Sequence, residues 1–298
     1  MRSVYEHIFQ MDILMNRASY LLLCLLFVNA GLAGAAGNSS TASPSIPADR
    51  FNGSIPRPWA LRLFDAKTDG LIGGEIRTIC ESGDTTWFAG QQGVCRYDGI
   101  NWERFETGPT KAPTSANVIL KSEDGAIWVG SEQGVSRFED KNWTTYKQVD
   151  GLPGSVVKAI CQTEDGTIWV GCGTRGWLPK GQPGGLAKWD GEKWTALTEK
   201  DGLVHRHVND LYELKDRLWI ATDGGVSRYD YNDRNWTSYK TSDRFHGKKI
   251  LTIYQDKEGG MWFGTEEGVV HFAEDIWTYH TIQNAPRTGK WTPLSRPI

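Results

Sequence analysis

The sequence predicts an all-β fold made of tandem repeats of about 40 to 50 residues. Three observations support this prediction. The 298-residue chain contains 14 Trp and 34 Gly, a composition that suits a repeated unit with many tight turns. One Trp recurs at Trp87, Trp128, Trp169, Trp219 and Trp262. A second Trp recurs at Trp102, Trp143, Trp194, Trp236 and Trp277, so two independent markers keep the same period.

The second repeat displays the unit most clearly. It reads NVILKSEDG, AIWVGSEQ, GVSRFEDK and NWTTYKQ, which predicts four short strands rich in β-branched and aromatic residues with turns between them. Four-stranded sheets that stack radially, so that each covers the next, are the blades of a β-propeller. We therefore predict five complete blades, with the first Trp of each repeat on the second strand and buried between blades.

Three phrases carry a resemblance to a known family. SEDGAIWVGSEQGVSRFE, TEDGTIWVGCG and DKEGGMWFGTEEGVVHF resemble two-component regulator propeller repeats, and the likeness extends over about residues 59 to 280. Such repeats form the periplasmic sensor domains of bacterial hybrid two-component systems, many of them tied to polysaccharide use. The resemblance implies an exported sensor module. No kinase or receiver sequence follows the repeats, so we expect the sensor part without its kinase.

The segments outside the repeats have a different character. An apolar run at 20–28 follows Arg17, and small residues at 33–35 offer a cleavage site, which is the order of a secretory signal peptide. A start at Met15 would give a cleaner signal. The predicted organisation is a signal peptide at 1–37, a flexible linker at 38–56, a propeller at 57–282 and an irregular tail at 283–298. The expected location is periplasmic or secreted.

Ring closure is left open by the sequence. Residues 57–76 resemble the fourth strand and following loop of a repeat, and Trp59 is in phase with Trp102. The chain therefore begins with an orphan fourth strand ahead of its five repeats. Three arrangements fit: a five-bladed ring with an extra N-terminal strand, an open ring completed by a second chain or partner protein, or part of a larger, truncated ring.

Candidate ligand-binding residues lie on one rim of the predicted propeller, where the interblade loops and the loops between second and third strands meet. In the third repeat the latter loop is extended to GCGTRGWLPKGQPGG, and variable loops on a rigid scaffold commonly carry function. Trp can stack on a sugar and Arg can bind a carboxylate or sulfate. The candidates are Arg175, Trp177, His205, Arg206, His207, Gln92, Gln133, Asp223 and Glu266.

The cysteines and histidines predict neither disulfides nor a metal site. Cys80 and Cys95 fall on the first and third strands of one blade, too far apart for a disulfide. A two-residue turn at Asp165-Gly166 would set Cys161 opposite Val170 and Cys172 opposite Ala159, so that pair is offset. The His-x-His sequence lacks further ligands at short spacing, and no calcium loop is present. We expect no cofactor.

Three functions remain in competition. The leading prediction is an exported module that binds a carbohydrate or another small polar ligand. The second is an enzyme of the lyase or glycosidase type, although Ser122-Glu123-Asp124-Gly125 is one residue short of a sialidase Asp box and no catalytic set is recognisable. The third is a protein-interaction scaffold. A net charge of -3 argues against a nucleic-acid partner.

Overall fold

The computed structural model describes residues 66, 70–108, 110–174, 183–246 and 248–281. The chain divides into two compact units, Met1–Asp69 and Gly70–Ile298, and every strand given below belongs to the second. The predicted signal peptide, linker and C-terminal tail fall outside the described residues. No helix in the described part of the chain is both long and apolar enough to cross a membrane.

The described residues form five antiparallel four-stranded sheets, each built from consecutive strands, as the repeat period predicts. These sheets are the blades of a β-propeller. Blades 1 to 3 contain β1 (Ile76–Ser82), β2 (Thr85–Gly90), β3 (Gly93–Tyr97), β4 (Trp102–Arg104), β5 (Ala116–Lys121), β6 (Ile127–Ser131), β7 (Gly134–Glu139), β8 (Asn142–Tyr146), β9 (Val156–Gln162), β10 (Ile168–Gly173), β11 (Gly185–Trp189) and β12 (Trp194–Leu197).

Blades 4 and 5 follow the same plan. They contain β13 (Val208–Leu214), β14 (Arg217–Thr222), β15 (Gly225–Asp230), β16 (Trp236–Lys240), β17 (Ile250–Gln255), β18 (Met261–Thr265), β19 (Gly268–Ala273) and β20 (Ile276–Thr281). Short helical turns occur at Gln148–Asp150, Glu199–Asp201 and, as helix α1, Thr241–Arg244, all in loops between blades. Gly151 and Gly202 end the first two turns with φ of 108° and 118°, a left-handed conformation that favours glycine.

The blades pack in chain order through their first strands, which we call the inner strands. β1 packs on β5, β5 on β9, β9 on β13 and β13 on β17. Four hydrophobic clusters fill these interfaces, one for each pair of consecutive blades. Among the described residues, no packing of comparable extent joins β17 to β1. The described blades therefore form a row with two end faces.

The second-strand tryptophans confirm most of the burial prediction. Trp87, Trp128, Trp169 and Trp219 are 1 to 3% exposed, and each lies in the cluster between its own blade and the next. The prediction is wrong for Trp262, which is only partly buried. Within the described residues no further blade packs against that side of blade 5, so its indole lacks the cover that the other four receive.

The cysteines are free thiols, as expected, but one detail of the register is wrong. Cys161 pairs with Trp169 and Cys172 with Val157, not with Val170 and Ala159. The connection between β9 and β10 is five residues long, and a bulge near the end of the pair adds a further shift. The two cysteines remain offset. Burial raises the pKa of both thiols to about 12.

Candidate functional site

The inner strand of every blade carries a β-bulge near its start. The register shifts in β1, β5, β9, β13 and β17, close to the rim formed by the interblade loops and the loops between second and third strands, which we call the upper rim. A bulge leaves one residue unpaired and redirects its side chain. The bulged residues are Arg77, Asn117, Lys158, Asn209 and Leu251. Four blades thus present a polar residue at this position.

On blades 1 and 2 the polar bulge residues are satisfied within the protein. Arg77 Nη1 donates to Asn117 Oδ1 at 3.1 Å, and Asn117 Nδ2 donates to the carbonyl oxygen of Val157 at 3.0 Å. The Arg77 guanidinium also lies 2.9 Å from the Glu75 carboxylate and 3.7 Å from that of Glu132. This half of the rim consequently binds blades together and has its positive charge neutralised.

Blades 3 to 5 gather Lys158, His207, Asn209, Asp223 and Lys249, which we call the polar cluster. Asn209 Oδ1 accepts from Lys158 Nζ at 2.8 Å, while Asn209 Nδ2 donates to Asp223 Oδ1 at 2.9 Å. The other carboxylate oxygen of Asp223 lies 3.4 Å from His207 Nδ1 and 3.5 Å from Lys249 Nζ. Three blades therefore contribute groups of both charges to one connected network.

The surroundings of the polar cluster favour the ionised carboxylate of Asp223 and disfavour the protonated ammonium of Lys158. Burial by itself would raise the pKa of Asp223, but hydrogen bonding from Asn209 and the charges of Lys249 and His207 outweigh it and lower that pKa. Burial lowers the pKa of Lys158, and the charge of Lys249 adds to this effect while Asp223 opposes it. The cluster therefore holds a carboxylate beside an ammonium group that is incompletely solvated.

His207 is the member of the cluster with unused hydrogen-bonding capacity. Its Nε2 atom is buried and has no hydrogen-bond partner among the described residues, whereas Nδ1 lies 3.4 Å from Asp223 and 3.5 Å from Thr174 Oγ1. The backbone N–H of His207 donates to His205 Nδ1 at 3.1 Å. Burial and the neighbouring His207 lower the pKa of His205. An unsatisfied buried nitrogen costs about 1 to 3 kcal/mol, which a ligand hydrogen bond would offset.

The structure brings several sequence-predicted residues to this cluster. His205, His207 and Asp223 lie there together, and the Glu266 carboxylate is 3.9 Å from Lys249 Nζ. Arg206 follows the same loop but is engaged elsewhere, because its guanidinium and its backbone N–H both bind the Glu199 carboxylate at 3.1 Å.

The remaining predicted residues fall in other places. Gln92 lies beside Gly73 in blade 1, so close that a side chain at Gly73 would meet the Gln92 amide. Gln133 is exposed in blade 2, where its backbone N–H donates to Ser131 Oγ. Arg175 and Trp177 lie outside the described residues, so their part in the site stays a prediction.

The sequence-based selection missed Lys158, Asn209 and Lys249. The sequence contains an indication of Lys158 and Asn209. Around each bulge, apolar core residues of the inner strand are three positions apart instead of two. Val157 and Ile160 are an example: both are buried, although strict alternation would place residues three apart on opposite faces. The odd spacing marks the bulge and the polar residue that it redirects.

A second concavity lies at the opposite rim, between blades 1 and 2. It has a volume of about 290 Å³, and Trp87, Arg96 and Asp124 are among the residues that line it. Two of its charged groups are already paired, with Arg96 2.6 Å from Glu103 and Asp124 2.8 Å from Arg137. We therefore regard the polar cluster, where His207 Nε2 has no hydrogen-bond partner among the described residues, as the better candidate site.

Comparison with known families confirms the resemblance noted in the sequence. The model of the Two component regulator propeller family matches residues 151–174 and 245–267. These segments include the second strands of blades 3 and 5, together with the interblade loop that precedes β9. No curated protein matches the chain.

Solved structures with the same fold include extracellular sensor domains. The extracellular domain of BT3049 from B. thetaiotaomicron, described as a hybrid two component system, has a TM-score of 0.57 at 18% identity over 74% of this chain and 30% of that one. The corresponding domain of BT4673 gives 0.58 at 14% identity over 75% and 33%. This chain thus spans about a third of their length.

A propeller enzyme is also similar. A catalytically inactive virginiamycin B lyase from Staphylococcus aureus, solved with quinupristin, has a TM-score of 0.53 at 12% identity over 72% of each chain. At these identities the likenesses establish the β-propeller fold, which sensors and enzymes share.

Proposed function

We propose that this chain is an exported sensor-type propeller that binds a small polar ligand, of the carbohydrate class, at the polar cluster on the upper rim. The observation that carries the proposal is the buried Nε2 atom of His207, which has no hydrogen-bond partner among the described residues, on a ring whose Nδ1 atom lies 3.4 Å from the Asp223 carboxylate. A sugar hydroxyl can both donate and accept, so it can pair with Nε2 of His207 in either tautomer of the imidazole.

The charges around this point favour the same ligand class. Lys158 and Lys249 supply ammonium donors, Asp223 supplies carboxylate acceptors, and Asn209 supplies an amide that can donate and accept. Hydrogen bonds and ion pairs connect these groups in one network. Two ammonium groups beside one carboxylate also accommodate an acidic sugar, whose carboxylate would gain charge-assisted hydrogen bonds. In the sequence Trp177 follows β10, and we propose that its indole supplies a stacking surface for the ligand.

Calorimetric titration of the purified chain with neutral and acidic disaccharides tests the proposal. We expect binding that His207→Ala and Asp223→Asn each weaken by roughly 1 to 3 kcal/mol, since each removes hydrogen bonds of a partly buried polar group. Replacing residues 173–184 by a short turn is expected to abolish binding without unfolding the propeller. Trp177→Ala is expected to weaken binding by roughly 1 to 3 kcal/mol, the range for a lost stacking contact.

Arg217→Gln provides a matched control. Arg217 begins β14 at the opposite rim of the same blade and pairs with Asp230 at 3.3 Å, so its loss perturbs an exposed ion pair and leaves the polar cluster unaffected. Binding by the control at full strength, together with its loss in the cluster variants, supports the proposed site. Absence of binding across the whole panel, or full binding by His207→Ala, would refute it.

One observation favours an enzymatic alternative. His207 Nδ1 faces the Asp223 carboxylate, and the buried Nε2 has no hydrogen-bond partner among the described residues, an arrangement in which a carboxylate orients a general base. The lyase fold likeness is compatible with it. Product analysis of each bound disaccharide after long incubation separates the two functions: unchanged ligand supports a sensor, and cleavage that His207→Ala abolishes supports a lyase or glycosidase.

A further inference from the structure

Blade 5 exposes a face that the other four blades bury. In every blade one residue of the third strand pairs with the Gly or Ala that follows the second-strand Trp by two positions. Val94, Val135, Leu186 and Val226 are 0% exposed at this position, whereas Val269 of blade 5 is 37% exposed. An aliphatic residue thus occupies an interior position in four blades and a surface position in the fifth.

The tryptophan of this face repeats the contrast. Trp169, for example, packs against Val208 and Leu211 of the following blade. Trp262 has no such neighbour among the described residues and instead stacks on His271 of its own blade, with ring centroids 4.2 Å apart. Strand pairing sets Trp262 and Val269 on one side of the sheet, which we call the leading face. An apolar leading face is therefore exposed at one end of the row.

Blade 1 shows the complementary pattern on its other side, the trailing face. Val129, Val170, Ile220 and Phe263 occupy matched second-strand positions and are 0% exposed, while Phe88 of blade 1 is partly exposed. The inner strands agree, since Ile76 is partly exposed and its counterparts Ala116, Val157, Val208 and Ile250 are 0% exposed.

The two end faces are complementary because the four internal interfaces are built from the same pair of faces. In each, the leading face of one blade packs on the trailing face of the next, as where Trp128 meets Val157 and Ile160. The end faces keep apolar residues at Trp262, Val269, Ile76 and Phe88. Thr86 of blade 1, by contrast, takes the position that buried Ile127, Ile168, Leu218 and Met261 hold in the other blades. Within the described residues the two end faces do not pack on one another, which leaves both without the neighbouring blade that covers their counterparts.

We propose that the leading face of blade 5 binds the trailing face of blade 1 in a second copy of this chain, head to tail, so that the stack of blades continues from one molecule to the next. Such a contact pairs two different surfaces, and it therefore either closes into a ring or extends as a chain of molecules. It also covers Leu251, the exposed bulge residue of blade 5, with the bulge region of the next copy, which begins at Arg77.

Light scattering of the full chain after size-exclusion chromatography, over a wide concentration range, gives the first test. We expect assemblies larger than a monomer. Val269→Glu sets a charge on the leading face and Thr86→Glu sets one on the trailing face beside Phe88, so each should weaken self-association at least about ten-fold. Val149→Glu is the control, because Val149 is 92% exposed in an interblade turn and belongs to neither face.

Mixing the two weakened variants makes the test specific. Each keeps one intact face, so the leading face of Thr86→Glu can still bind the trailing face of Val269→Glu, and a 1:1 complex should form from two monomers. A monomeric wild type, or a wild-type assembly that Val269→Glu leaves unchanged, would overturn the proposal. So would a monomer whose unfolding midpoint falls in Val269→Glu, because blade 5 would then be covered within one chain.

Discussion

Trp169→Ala and Trp262→Ala are the same chemical change at the same position of two blades, and they should have different costs. Trp169 is 3% exposed and lies in the cluster between blades 3 and 4, with the Tyr229 ring centroid 5.8 Å from its own. Trp262 is partly exposed and packs within blade 5. The pair therefore measures how much stability comes from the neighbouring blade.

The magnitudes follow from burial. Truncating a fully buried Trp to Ala costs about 3 to 5 kcal/mol, because transfer free energy is lost and a cavity remains. Trp169 Nε1 has no hydrogen-bond partner among the described residues, so packing dominates its contribution. Trp262 buries less of its ring, and burial of roughly 100 Å² at about 25 cal/mol per Å² gives about 2.5 kcal/mol. Its loss also removes the hydrogen bond that Trp262 Nε1 donates to Asp256 at 2.7 Å.

Urea unfolding followed by far-ultraviolet circular dichroism measures both variants without relying on tryptophan fluorescence. The samples are kept dilute, at a concentration where the wild type is monomeric, so that association does not add to the stability of blade 5. We expect Trp169→Ala to lose about 1 kcal/mol more than Trp262→Ala. Equal losses, or a loss below about 1 kcal/mol for Trp169→Ala, would show that interblade packing does not stabilise the fold as argued.

Two further predictions concern titratable groups. In the native protein a thiol reagent should label Cys80, which is partly exposed, well before Cys95, Cys161 and Cys172, which are buried, and denaturation without reductant should expose all four thiols. Burial lowers the pKa of His205 below 6.5, so the folded state binds this proton less tightly than the unfolded chain does. Stability should fall as the pH drops below about 6.5, with a shallower fall in His205→Gln, as thermal unfolding at several pH values would measure.

The repeated sequence predicted the blades well because blade formation depends on local pattern. Each repeat carries its own strand residues, turns and tryptophans, and the five four-stranded sheets appear at the predicted places. The burial of Trp262 was not predictable in the same way. Its repeat resembles the others, but whether its indole is covered depends on what packs against blade 5, which a repeat period does not encode.

The differences between the predicted and observed blade 3 have local causes. The register of Cys161 was misplaced because Asp165-Gly166 was taken as a two-residue turn. In the structure Thr163 N donates to Thr167 O, and Asp165 accepts from the Thr163 hydroxyl and the Thr167 N–H, which stabilises a five-residue loop. Lys158 was not among the predicted residues, because it lies within a strand and only the bulge in β9 redirects its side chain to the rim.

Asn209 connects the candidate site to the stacking of the blades. Its Nδ2 group donates to Asp223 within blade 4 and also to the carbonyl oxygen of Ile250 in blade 5, at 2.9 and 2.8 Å. Ile250 is fully buried in the interface between these blades, and Lys249, its neighbour in the chain, reaches the same Asp223 carboxylate. The geometry of the polar cluster therefore depends on how blade 5 docks on blade 4. A molecule bound to the leading face of blade 5 would restrain that docking. Through the same contacts it would also restrain the positions of Lys249 and Asp223.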